Sequence, residues 1–209
     1  MIRAFDELFN EAGAVARQER TRRRLRSHLL AQLVCLGNHT ITGLLCAGGR
    51  PFEDWSADYR LYAGNRVDPA ALFDVVRQQV QQHLKPAQPL VVAMDDSLLR
   101  KRGRRIPGTA WRIDPLGAPF QVNFVWGQRV LQLAAALPVG GEGAARTLPI
   151  DFIQAPTPAR PRKNASEQDW IEYRKLRKDM NINRQALPRV NRLVEACSSP
   201  QVGHPLWLT

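Results

Sequence analysis

A chain of 209 residues with 30 lysines and arginines against 19 acidic residues carries a formal charge of +11. That excess points to a polyanionic partner, nucleic acid ahead of an anionic membrane surface. Its three cysteines, Cys35, Cys46 and Cys197, show no CxxC spacing and no paired histidines, which speaks against a disulfide framework or a zinc site. No run approaches the roughly 20 apolar residues of a transmembrane helix, and the opening MIRAFDELFNEAGA lacks a signal-peptide core, so a soluble cytoplasmic protein is expected.

Residues 1–86 read as all-helical. Val15, Leu25, Leu29, Leu30, Leu33 and Leu36 recur at helical spacing over 14–36, and Gly37 ends the run. The first half of that segment, RQERTRRRLR, is nearly continuous positive charge and puts Arg22, Arg23, Arg24 and Arg26 forward as phosphate contacts. Thr40 opens a short helix that Gly48-Gly49 stops. Trp55, Tyr59 and Tyr62 in a third segment suggest a small aromatic core. Asp68-Pro69, an N-cap followed by proline at the first helical position, opens a helix to about residue 84. Pro86 and Pro89 then read as a linker, and His28, His39 and His83 have no mutual metal spacing. The whole segment, 1–86, is expected to be a helical DNA-binding domain.

Beyond the linker the pattern changes. Leu90 to Met94 is a short valine-rich apolar run, read as a buried strand that ends at Asp95-Asp96-Ser97. Residues 120–126 and 129–136 read as two strands of a hairpin turning at Gly127-Gln128. Between them and the first strand lies a basic arm, 101–119, whose Lys101, Arg102, Arg104 and Arg105, with Arg100 just before it, are further candidates for DNA contact. Residues 138–161, rich in glycine and proline, read as a loop. Ser166, with Asp169 three residues on, caps a helix whose Arg174, Lys175, Arg177 and Lys178 make a solvated face. A second helical stretch follows over 183–196, with Pro188 tolerable only near its first turn. Residues 205–209 read as the opening of a buried strand. From the residues alone, Asp95 and Asp96 fit either a metal ligand for phosphoryl chemistry or the cap of a turn. Neighbouring strand residues face opposite sides, so only one of the pair can be the ligand.

The block Asp95-Asp96-Ser97, Leu98-Leu99-Arg100-Lys101-Arg102-Gly103 and Asn123 to Gly127 resembles the first catalytic block of DDE-type transposases of bacterial insertion sequences. Members of that group show Asp-Asp-Thr, Leu-Leu-x-Lys-x-Gly and Asn-x-x-x-Gly at these places, and serine here keeps the threonine hydroxyl. The resemblance implies an α/β (α+β) protein: the helical domain, then, over 87–209, a ribonuclease-H-like domain with a mixed sheet. It implies that Asp96, with Asp95 as close competitor, is the first catalytic carboxylate and metal ligand. Mg²⁺ or Mn²⁺ would be the cofactor in intact relatives, and insertion-element ends the DNA partner, with self-association or pairing with an intact copy. The second and third carboxylates of the group find no match here. Asp114 reads as a turn residue, and Glu142, Asp151 and Glu195 stand at no corresponding position. The expectation is therefore an incomplete, truncated and inactive copy, with weak or no metal binding. A non-catalytic basic DNA-binding protein is the alternative.

Overall fold

Helical spacing of apolar residues gives way to strand-like runs after the middle eighties of the chain, and the computed structural model follows that change. It describes residues 2–85, 88–114, 116–118, 120, 122–137, 145–197 and 205–209. Two compact units result, Met1–Gln78 and Gln79–Thr209, with the division inside one helix.

The first unit contains α1 (Ile2–Glu11), a 3₁₀ turn at Gly13–Val15, α2 (Glu19–Val34), α3 (Ile41–Ala47), α4 (Ser56–Leu61) and most of α5 (Pro69–His83). Phe9, Val15, Leu25, Leu61 and Val75 form its buried apolar cluster, with Phe5, Leu29 and Val67 packed against it. Caps stand where the local sequence puts them. Thr40 Oγ1 accepts from the Gly43 amide at 3.0 Å, and Asp68 Oδ1 accepts from Ala70 N at 2.9 Å. The helix expected over 14–36 begins only at Glu19, because Gly13–Val15 closes a tighter turn first. The expected aromatic core does not form. Tyr59 and Tyr62 are half-exposed, their hydroxyls bonded to Thr42 and His28, while the Trp55 indole donates to the Arg50 carbonyl. Each ring has a polar tip that needs a partner, and those partners are polar groups outside the aliphatic cluster.

In the second unit five strands form one mixed sheet: β1 (Leu90–Arg100), β2 (Thr109–Ile113), β3 (Phe124–Leu137), β4 (Arg146–Gln154) and β5 (Leu206–Leu208). β1 runs antiparallel to β3, from Val91↔Ala136 to Arg100↔Gly127. The other edge of β3 carries β2 and β4 one after the other. After α6 (Glu167–Asp179) and α7 (Ile182–Cys197) the chain returns as β5, parallel to β1 at Leu90↔Leu206 through Val92↔Leu208. The order β4-β3-β1-β5, three antiparallel strands and then a parallel one reached through helices, is the ribonuclease-H-like arrangement. Leu90, Val92, Val130, Leu131, Leu133, Ala135 and Ile150 are its most deeply buried strand residues.

Several local expectations are corrected. β1 does not end at Asp95-Asp96-Ser97 but continues to Arg100, because β3 is long enough to pair with it throughout. Gly127-Gln128 is not a turn. It lies inside β3, and a Cβ at Gly127 would stand 2.7 Å from the Leu99 carbonyl oxygen, so glycine is there for close strand approach. The basic arm contains β2, and the loop expected over 138–161 contains β4, whose Pro149 sits beside a register shift. Pro86, Glu142 and most of the glycine-rich stretch fall outside the described residues. Pro188 is the seventh residue of α7 rather than part of its first turn. β5 is not buried, with Trp207 61% and Leu208 45% exposed. The capping box at Ser166 and Asp169 is present in both directions.

Candidate active site

β5 pairs with β1 over Leu90–Val92, and the Met94 amide donates to the Thr209 carbonyl. Further along β1, Asp95 and Asp96 line a cleft of about 720 Å³. Asp96 pairs in register with Leu131, which makes Arg129 its diagonal neighbour on β3. The Arg129 Nε donates to Asp96 Oδ2 at 2.6 Å. Asp95 turns to the backbone, its Oδ1 accepting from the Asp96 amide at 2.8 Å.

Two further groups enter the cleft from the segment expected to be a basic arm. Asp114 accepts from Arg100 at 2.6 Å through one oxygen and from the Leu116 amide at 3.1 Å through the other. It is thus the turn residue expected and also a wall of the cleft. Arg112 is half-buried beside it. Among the described residues its Nε has no partner, and a terminal nitrogen donates to Thr157 Oγ1 at 3.3 Å. Burial first, and then the charge of Arg129, push the Arg112 pKa down against the opposing pull of Asp96. Sequence reasoning missed Arg112 and Arg129. The one signal for Arg112 is the alternation in Trp111-Arg112-Ile113, where the apolar residues face outward and the arginine inward.

The arrangement balances three carboxylates with three guanidiniums. Among the described residues no group of three His, Cys, Asp or Glu side chains could hold a metal ion. Asp96 is held by an arginine and Asp95 accepts from the Asp96 amide, so this donor set does not fit a two-ion centre.

The arginines expected to touch DNA divide sharply. Arg22 donates to the Phe9 carbonyl at 3.1 Å and lies over the Phe9 ring. Arg24 reaches Asp58 at 3.3 Å. Arg26 grips Asp6 with two bonds of 2.6 and 2.8 Å, which lowers the Asp6 carboxyl and raises the guanidinium. These three hold the helical unit together, and only Arg23, paired with Glu19 on the same helix, is mostly exposed. Lys101, Arg102, Arg104 and Arg105 follow β1, and their side chains have no ion pair among the described residues; the three arginines are exposed.

No helix among the described residues is long and apolar enough to cross a membrane. No curated protein and no solved structure matches the chain. A family model described as DDE superfamily endonuclease does match it, over residues 6–149, from α1 into β4. The match takes in Asp95, Asp96, Arg112, Asp114 and Arg129 together with strands β1, β2 and β3 that carry them, and it spans more than half of the chain. On that ground the chain belongs to the DDE superfamily of endonucleases.

Proposed function

We propose that the chain is a transposase-like protein of an insertion sequence, binding element-end DNA, with Asp96 as its first-strand carboxylate. The observation that carries this is the place of Asp96 inside the family-matched region, on β1 and lining a cleft with Arg112, Asp114 and Arg129. In intact relatives the activity is metal-dependent DNA strand cleavage and transfer, with Mg²⁺ or Mn²⁺. The exposed Arg102, Arg104 and Arg105 that follow β1 would carry the phosphate contacts, and Asp95 is the alternative to Asp96 as the carboxylate.

A second, narrower reading is that this polypeptide by itself binds DNA without cutting it. The pairs Arg129–Asp96 and Arg100–Asp114 favour it, because each carboxylate of the cleft already has a cationic or backbone partner. One weakly held ion cannot be placed with the accuracy an in-line displacement demands, where about 1 Å of misplacement costs about a hundredfold. The test incubates the purified chain with supercoiled plasmid and with element-end DNA in Mg²⁺ and in Mn²⁺. Binding without nicking is expected, with a slope of log K against log salt of about −5 if about six phosphates are engaged. Nicking that disappears in Asp96→Ala would overturn the silent reading. Absence of binding to any DNA at low salt would overturn the transposase-like one.

A further inference from the structure

Beyond the matched region, α6 carries a stripe unlike that of a core-packing helix. Trp170, Tyr173, Arg174 and Arg177 stand at i, i+3, i+4 and i+7, which places them on one face. On a helix that packs against a sheet this face is apolar and buried, yet α6 has no buried residue at all. Its stripe instead opposes Pro158 and Arg160, in the segment after β4, across a cleft of about 680 Å³. The Arg160 guanidinium lies 5.7 Å over the Trp170 ring, and Tyr173 meets Trp170 edge-on at 6.0 Å.

What separates this cleft from the others described is the lack of counter-charge. The Asp96 cleft sets three aspartates against its arginines, and one on the helical unit sets Glu19 and Glu53 against Arg20, Arg23, Arg24 and Arg50. An arginine already bound to a carboxylate must give up that bond before it can take a phosphate. The α6 cleft is lined by three arginines and no acid. Among the described residues Arg174 and Arg177 have no hydrogen-bond or ion-pair partner, and Arg160 has only the indole.

We propose that the α6 cleft binds single-stranded DNA. A base laid against the Trp170–Tyr173 pair would be flanked by Arg160, and its neighbouring phosphates would meet Arg174 and Arg177 one and two turns along the helix. The aromatic pair is what selects a single strand: in a duplex the base faces are stacked on each other, leaving only the phosphates for the arginines. The choice of DNA rests on the transposase-like reading, whereas the cleft itself does not depend on Asp96.

The experiment measures fluorescence anisotropy of labelled oligo(dT) of about 12 nucleotides, and of a duplex of equal length, with the full chain. The single strand should bind more tightly at equal salt. Trp170→Ala should weaken oligo(dT) about tenfold and leave the duplex nearly unchanged, while Trp170→Phe retains most of the affinity. The double change Arg174→Gln with Arg177→Gln should make the salt slope for oligo(dT) shallower by about 1.4, two single-strand phosphates. Because no residue of α6 is buried, the helical circular dichroism should persist in all of these variants. Loss of oligo(dT) binding in the α6 variants with duplex binding retained separates this site from the Asp96 cleft. Unchanged affinity and slope in the α6 variants would overturn the proposal, as would a Trp170→Ala loss that is equal for single strand and duplex.

Discussion

Arg24 and Arg50 of the helical unit and Arg174 and Arg177 of α6 carry the same charge, but only the first pair has its charge matched inside the protein. Asp58 is fully buried, and it accepts from His28 Nε2 at 2.8 Å, from both terminal nitrogens of Arg50 at 3.1 and 3.2 Å, and stands 3.3 Å from Arg24 Nε. Tyr62 closes the far side of His28 at 2.9 Å. Among the described residues, Arg160, Arg174 and Arg177 of the α6 cleft meet no carboxylate. A tract rich in arginine is therefore a poor guide to where anions bind, since desolvated carboxylates elsewhere in the chain recruit some guanidiniums and leave others free for a ligand.

The strongest test of that contrast is Asp58→Ala. It leaves Arg24 and His28 without their carboxylate and Arg50 with Glu53 alone, and should cost the helical unit about 3–5 kcal/mol in denaturant unfolding followed by helical circular dichroism. Arg174→Gln on the same assay should change stability by no more than about 0.5 kcal/mol. Similar losses from the two changes would erase the distinction.

Acid sharpens the same comparison. Burial alone would raise the Asp58 carboxyl, but hydrogen bonds from Arg50 and His28, and the charges of Arg50 and Arg24, outweigh it and hold the pKa below the ordinary value. A depressed folded-state pKa gives stability that is fully present above the unfolded value, about 3.9, and is lost as pH falls through the folded one. Stability of the wild-type helical unit should therefore drop on acidification below about pH 4, by a component missing from Asp58→Asn. A pH profile identical in the two proteins would show that the carboxylate is not what holds these arginines.

A smaller effect is expected in duplex binding. Replacing Arg102, Arg104 and Arg105 by glutamine should make the salt slope shallower by about 0.9 for each phosphate that is no longer neutralised. Changing Arg22 and Arg26 in the same way should leave that slope in place and lower the thermal midpoint instead, because their partners are Phe9 O and Asp6. A slope that falls equally in both sets would return the α2 arginines to the DNA surface.

The family is legible before any fold. The Asp95-Asp96-Ser97 block and the Asn123 to Gly127 region mark the family, and Asp114 reads correctly as a turn residue. What stays hidden is company: Arg129 is 33 residues from Asp96 in the chain, and Thr157 is 45 from Arg112. Side chains that far apart meet only through strand register, and local pattern carries no record of register when a glycine such as Gly127 can serve equally in a turn or at a close crossing.

The sequence by itself determined the features whose partners lie within a turn or two of chain. These are the caps at Thr40, Asp68 and Ser166, the switch from helices to strands after α5, and the start of the first strand at Leu90. Only the tertiary structure decided that β1 runs on to Arg100, that β3 is one strand instead of a hairpin, and that β2 and β4 occupy segments read as loops. It also decided which arginines are neutralised. The physical reason is common to all of these: strand pairing and ion pairing are set by groups brought together from distant parts of the chain, and their free energy depends on what each group faces after folding.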